Sequence, residues 1–227
     1  MVNVELEEEL HSNTRRTRIT YRAFVDGQEV AIKCYRKPLF GLIHWLRAVR
    51  RGRKIRRAGG PVPAIVYAGW VASLRCFGFS TSYLAGYRSL REVLNSESSK
   101  SKQLIVIEKL GRAVADIHAR GIEQPDGNLT NFLVSPEGSM AMVDEDDIRV
   151  FRSCLPGKRA ASNLGNIAAR LPDRSMRERL LAAYKQEMSK SSLNPIDDAL
   201  YWSSVAAWRS QLEDKRASRN IAPRQFD

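Results

Sequence analysis

The chain has 227 residues, 43% of them hydrophobic, and a formal net charge of +12; that is enough for one domain or two closely packed lobes around a real core. Cys34, Cys76 and Cys154 are too few and too scattered for a disulfide framework or a zinc site, so they read as reduced thiols of a cytosolic protein. The best apolar stretch, Pro38 to Trp45, falls far short of the ~20 residues that cross a bilayer, and the acidic start MVNVELEEEL is neither a secretory signal nor a transit peptide.

In chain order, Arg18 to Val25 alternates and is rich in Thr, Tyr, Phe and Val, which predicts a strand. Asp26-Gly27 is a hairpin turn signal, and Glu29 to Tyr35 is the returning strand. Pro38 to Arg57 is helical by its spacing, with Leu39, Leu42, Ile43, Leu46 and Val49 on one face, and Gly59-Gly60-Pro61 ends it. Two more strands follow in Ala64 to Trp70 and Leu74 to Tyr83. Ser89 to Leu94 reads as a short helix and Ser96 to Lys102 as a polar loop. Leu104 to Arg120 is an amphipathic helix with Leu104, Ile107, Leu110, Val114 and Ile117 on its stripe.

Gly121 to Asn131 has little regular pattern and reads as a loop. Phe132 to Val134 and Met140 to Val143 flank the turn Ser135 to Gly138, a second hairpin. Helices are expected over Asn163 to Arg170, Ser175 to Met188 and Pro195 to Leu212, and a loose tail from Ala217. Strands first and helices afterwards make an α+β arrangement.

Four features that carry chemistry occur in order. Val30-Ala31-Ile32-Lys33 lies on a strand. The long helix ends in Ile117-His118-Ala119-Arg120-Gly121. Asp126 is followed five residues later by Asn131, with Phe132-Leu133-Val134 behind it. The strand Met140 to Val143 delivers Asp144. Each has an ordinary structural use as well. A strand lysine is commonly solvated, Asp126 before Gly127 suits a turn, Asn131 suits a cap, and His118 at a helix end reads as structural. The acids Asp144 to Asp147 repel one another, and a divalent cation would relieve that.

In these stretches the sequence resembles the protein kinase superfamily. VAIK is similar to the family's phosphate-binding strand, PDGNLTNFLV to its catalytic loop, and VDED to its metal-binding aspartate at a strand end. The resemblance covers most of Arg18 to Arg149. It implies a protein-kinase-like two-lobed fold forming one catalytic unit, with a nucleotide-binding lobe over residues 1–85 and a catalytic lobe over 86–227. It also implies ATP and Mg²⁺ as cofactors. Lys33 would hold the phosphates, Asn131 and Asp144 would supply hard oxygen ligands to Mg²⁺, and Asp126 would orient the substrate hydroxyl. Phe79 to Gly86 would be the hinge, with Tyr83 and Leu84 at the adenine and Val30, Ala31 and Leu133 in the apolar slot around it.

The sequence also departs from the family. No glycine-rich loop precedes Lys33; Arg15, Arg16, Arg18 and Arg22 stand there instead. Gln124-Pro125 replaces the His-Arg before the aspartate, and Glu145-Asp146 replaces the Phe-Gly after the metal ligand. No acid occurs between Glu29 and Glu92 to pair with Lys33, which keeps a pseudokinase scaffold open.

Only 83 residues follow Asp144, from 227 minus 144. Within the superfamily this short end, with IKCYRKP, RRAGGPVPAIVYAGW, FSTSYLAGYRSL and LLAAY, is similar to the bacterial lipopolysaccharide core kinases that phosphorylate Kdo or heptose. The resemblance implies an anionic sugar or glycolipid acceptor, a protein acceptor being the alternative. It implies a place on the inner face of the cytoplasmic membrane. The basic segment Arg36 to Arg57, with its Trp and apolar residues, would make peripheral contact with anionic lipid. Nucleic acid is the least fitting partner, since no recognition motif or stacking platform accompanies the charge.

Overall fold

In the computed structural model, which describes residues 2–190, 196–222 and 224–226, Asp26 and Gly27 have φ of 48° and 81°. These are the left-handed values that a two-residue hairpin turn needs and that Asp-Gly adopts at low cost. The turn joins β2 (Arg18–Val25) to β3 (Gln28–Tyr35), paired antiparallel from Arg18–Tyr35 to Val25–Gln28. β4 (Ile65–Val71) and β5 (Cys76–Ser82) complete the predicted strands.

The acidic N-terminus, read from sequence only as a non-signal, forms a further strand, β1 (Val4–Ser12). It pairs antiparallel with β2 through two register shifts, between Leu6 and Glu8 and between Glu9 and His11. The order of the sheet is β1-β2-β3-β5-β4, so β1 is an edge, and carboxylates and bulges are usual guards of an edge. Its acids meet the arginines of the next strand and turn: Arg16 binds Glu9 at 2.6 Å, and Arg22 lies 3.8 Å from Glu7, its nearer partner being Glu29 of β3 at 2.5 Å.

The sheet packs apolar side chains on both faces. Ala23, Val25, Val30, Ile32, Cys34, Val71 and Cys76 form one cluster. Tyr35, Ala48, Val49 and Phe79 form the other, with Trp45 and Ala68 against it. The second cluster seats α1 (Pro38–Arg57). Trp45 stacks on Phe77 with ring centroids 4.9 Å apart, and its indole N–H donates to the Gly78 carbonyl at 2.9 Å. The buried face of α1 is therefore Gly41, Ala48, Val49, Gly52 and Ile55, with Trp45 partly covered. This corrects the predicted face, because Ile43 and Leu46 are exposed and the Leu39 side chain lies outside the described residues. The seat is shaped by a tryptophan and small residues, which a count of large aliphatics does not find.

The remaining chain is mostly helical, which makes the protein α+β. The chain divides into two compact units, Met1–Arg57 with Val62–Ala85, and Ala58–Pro61 with Gly86–Asp227. In the second unit Ser89 caps α2 (Leu90–Ser96) in a reciprocal capping box with Glu92. α3 (Lys100–Ala119) starts earlier than predicted and takes in part of the expected polar loop. The short β6 (Arg88–Ser89), β8 (Phe132–Val134) and β9 (Met140–Met142) form one small sheet. β7 (Ile122–Glu123), inside the stretch expected to be an irregular loop, pairs with β10 (Arg149–Val150).

α4 (Gly157–Ala168), α5 (Arg174–Lys190) and α6 (Asp198–Arg219) complete the unit. The predicted start of the last helix at Pro195 lies outside the described residues. Asp197 caps α6, accepting from the Leu200 N–H. The tail is not loose as expected: α6 continues to Arg219, and Phe226 is buried. No described helix is long and apolar enough to cross a membrane.

Close approach of α3 to α5 sets a sharp packing requirement. A Cβ on Gly111 would come within 2.6 Å of the Leu180 carbonyl oxygen and 2.9 Å of Ala183 Cβ. Gly111→Val should cost about 2 kcal/mol or more by overpacking. Gly157→Ala, where a Cβ meets nothing within 4 Å, should be neutral or slightly stabilising. Urea unfolding of both variants measures the contrast, and equal midpoints would contradict this packing.

Candidate functional site

The loop Gln124-Pro125-Asp126 leaves the end of β7 and turns three carbonyls toward asparagine amides. Asn163 Nδ2 donates to the Gln124 carbonyl at 2.7 Å, Asn166 Nδ2 to that of Pro125 at 2.7 Å, and Asn131 Nδ2 to that of Asp126 at 3.3 Å. Asn163 and Asn166 are three apart on α4, so they share a face, and both are buried. A Cβ on Gly127 would stand 2.9 Å from the Asn166 carbonyl carbon and from the Ile167 nitrogen. The loop thus lies against α4 at a distance only glycine tolerates.

Asp126 is 46% exposed at its side chain, yet it is tethered. Its Oδ1 accepts from the Asn128 N–H at 3.1 Å and from Arg170 Nη2 at 3.3 Å. Arg170 is only 10% exposed and is itself held, since its Nη1 donates to the Asn166 carbonyl at 2.7 Å and also meets Asn166 Oδ1. One asparagine therefore fixes both the loop carbonyl and the guanidinium beside the carboxylate.

Asn131 closes a single 3₁₀ turn over Leu129–Asn131 and is buried. Its carbonyl accepts from the Val143 N–H at 3.0 Å. With Phe132–Met142 as the first pair of the β8–β9 ladder, this bond places Asp144 directly after the residue paired to Asn131. Gln124 Nε2 donates to the Val143 carbonyl at 3.0 Å, so the same short segment is tied to the Asp126 loop. Asp144 has φ of 60°, a left-handed conformation uncommon outside glycine, which Asp tolerates better than most residues. Asp126, Asn131 and Asp144 are thus brought into one hydrogen-bonded cluster of loops. Leu133 follows on β8, partly buried.

His118 stands behind this cluster. It is fully buried, with Nε2 2.9 Å from Asn163 Oδ1 and Nδ1 3.0 Å from the Tyr184 hydroxyl. Asn163 spends its NH₂ on Gln124, so its oxygen faces the ring. The neutral tautomer with the proton on Nε2 satisfies every contact. This is the structural role expected for His118, and it reaches the loop through Asn163.

The remaining sequence-predicted residues lie in the first unit. Lys33 is partly buried on β3, opposite Thr20 on one side and Phe79 on the other. Side chains alternate along a strand, so Ala31 shares the Lys33 face, while Val30 is wholly inside the opposite cluster with Ile32 and Cys34. A ligand on the Lys33 face meets Ala31 and not Val30. Tyr83 donates its N–H to the Glu29 carbonyl at 3.2 Å, and the Arg22 guanidinium sits 5.2 Å over its ring. Leu84 is partly exposed. The first unit ends at Ala85, within the predicted hinge, and Gly86 follows with φ of 77°.

Sequence reading missed the basic surroundings of Asp126. A depression of about 410 Å³ is lined by Asp126, Arg149, Arg170, Trp208 and Lys215 among others. A second of about 250 Å³ is lined by Asp126, Arg91, Lys215, Arg216, Arg219 and Arg224. The signal available was Asn163, Asn166 and Arg170, polar residues at helical spacing amid Leu164, Ile167 and Ala168. Among the described residues no group of three or more His, Cys, Asp or Glu side chains converges as a metal cluster. Asn131 and Asp144 would supply the side-chain oxygens to the Mg²⁺ that the resemblance implies.

No protein-family model matches the chain, and no curated protein is similar to it.

Burial pulls the His118 imidazole from its ordinary 6.5 down to about 4. Between those values the unfolded chain takes up a proton that the folded chain refuses. Stability is therefore full above pH 6.5 and is lost as pH falls toward 4, by about 3 kcal/mol at most. Melting curves from pH 7 to pH 4.5 should show this loss, and His118→Gln, less stable at pH 7, should show a flatter profile. An equally steep profile in the variant would assign the acid sensitivity elsewhere.

Proposed function

We propose that the chain is an ATP-dependent kinase of protein-kinase-like fold. It would transfer a phosphoryl group to a hydroxyl of an anionic sugar, of the kind found in the lipopolysaccharide inner core (Kdo or heptose). The observation that carries this reading is Asp126: an exposed carboxylate on a clamped loop, five residues before Asn131, in surroundings lined by arginine and lysine. Phosphoryl transfer asks for positioning and charge neutralisation rather than covalent chemistry, and a clamped loop with fixed charges offers both.

In this reading both tethers of Asp126 fall on Oδ1, which leaves Oδ2 to accept the hydrogen bond of the acceptor hydroxyl. Arg170 keeps the carboxylate aimed. Asn131 and Asp144 would hold Mg²⁺, which when bound neutralises the phosphates. Lys33 would hold the phosphates, with Ala31 and Leu133 at the base. The tip between β1 and β2, where the Asn13 carboxamide oxygen accepts from the Thr17 and Arg18 amides at 2.9 and 3.0 Å, stands in sequence where a kinase has its glycine-rich loop. It brings Arg15 and Arg16 in place of glycines. Arg91, Lys215, Arg216, Arg219 and Arg224 favour an acceptor bearing carboxylate or phosphate over a neutral peptide.

A scaffold without turnover is the competing reading. What favours it is a departure from the kinase pattern in the sequence: no acid occurs on α1, or anywhere from Val30 to Arg91. Two variants separate the readings. Asp144→Ala should lose Mg²⁺-dependent ATP binding in a thermal-shift assay. Asp126→Ala should keep that binding and lose turnover by ~10²–10⁴-fold. Unchanged turnover in both variants, or Mg²⁺·ATP binding without turnover in the wild type across acidic sugar acceptors, would overturn the kinase reading.

A further inference from the structure

α1 turns two faces outward from one chain. Its inner face is fixed against the sheet by Trp45, Ala48 and Val49. Its outer face begins apolar: Phe40 is 65% exposed, Ile43 45% and Leu46 39%. It continues cationic, with Arg47, Arg50, Arg53 and Arg57 exposed. Phe40, Ile43, Arg47, Arg50, Lys54 and Arg57 follow one another at steps of three and four, so they form a single stripe. Arg36 and Lys37, also exposed, precede the helix, so the three apolar side chains have cations at both ends.

Water is a poor partner for three neighbouring large apolar side chains on a helix that has already buried a face. The charge says what covers them. Arg47, Arg50, Arg53 and Arg57 are exposed and α1 itself carries no Asp or Glu, so a surface complementary to this face is negatively charged. It must also accept apolar side chains. An anionic bilayer interface does both, taking Phe40, Ile43 and Leu46 among the acyl chains while phosphates meet the arginines. Nucleic acid would answer the arginines and leave the apolar group in water.

We infer that α1 is an amphipathic membrane-docking helix for anionic lipid, entering by its N-terminal half with Phe40, Ile43 and Leu46 and held by the arginines that follow. Trp45, the expected interfacial aromatic, is not the anchor, because its ring and N–H are engaged with Phe77 and Gly78. This inference rests on α1 alone and does not depend on the chemistry at Asp126.

The test is co-sedimentation of the full chain with vesicles of phosphatidylcholine alone and of phosphatidylcholine mixed with phosphatidylglycerol. The wild type should bind the mixed vesicles at low salt, lose most binding at high salt, and stay in the supernatant with the neutral vesicles. Arg47→Glu with Arg50→Glu and Arg53→Glu should weaken binding by more than about tenfold. Phe40→Ser with Ile43→Ser and Leu46→Ser should weaken it at low salt as well. All six positions are exposed, so both variants should keep the wild-type melting temperature. Equal binding to both kinds of vesicle, or by either triple variant, would overturn the inference. So would binding to duplex RNA or DNA that only the arginine variant loses, without vesicle binding. A concentration-dependent dimer abolished by the serine variant, again without vesicle binding, would assign the face to a second copy of the chain.

Discussion

Three consecutive backbone carbonyls, those of Gln124, Pro125 and Asp126, each accept from the amide of an asparagine. A short segment with little secondary structure of its own cannot satisfy its buried polar groups internally, and a loop that leaves them to water remains mobile. Here the partners come from two directions, α4 and the 3₁₀ turn at Asn131. The carboxylate of Asp126 is therefore positioned by backbone bonds before any ligand arrives. Removing one amide would leave a buried carbonyl unsatisfied, at about 1–3 kcal/mol, and would free the residue that the proposed chemistry needs most fixed.

The clamp also explains why the helices are arranged as they are. α4 must approach the loop closely enough that Gly127 has no room for a side chain, and Asn163 must keep its oxygen for His118 while its nitrogen serves Gln124. His118 in turn meets Tyr184 on α5. A buried polar chain of this kind is stabilising only when every member is satisfied. Burial keeps the imidazole neutral, and acid opposes the fold. Arg170 serves a double purpose, capping Asn166 and reaching Asp126.

Much of the fold was legible because its signals are local. Asp26-Gly27 between alternating segments, the proline and glycines that bracket α1, and the stripe of α3 depend on near neighbours in sequence. Most of what escaped depends on partners outside the element itself. β1 carries too many glutamates to read as a strand alone, and it is one paired along β2, with Arg16 and Arg22 against Glu9 and Glu7. The true inner face of α1 is Trp45 with alanine, glycine and valine, since Phe77 and Gly78 on β5 provide its seat. Phe226 is buried at the end of a tail whose composition is polar. At the site, the order and spacing of Asp126, Asn131 and Asp144 were visible in sequence. The clamp was not, because Asn163, Asn166 and Arg170 are more than 30 residues away and carry no spacing relative to Asp126 that a motif would register.

The most direct measurement follows phosphate from γ-labelled Mg²⁺·ATP to an acidic sugar acceptor, with the wild type and Asn163→Ala side by side. The account predicts transfer by the wild type. It predicts that the variant, folded and still binding Mg²⁺·ATP, transfers more slowly by about tenfold or more, since a catalytic group displaced by an ångström loses up to ~10²-fold. No transfer by wild-type protein that binds Mg²⁺·ATP, or equal rates with the clamp intact and broken, would contradict it.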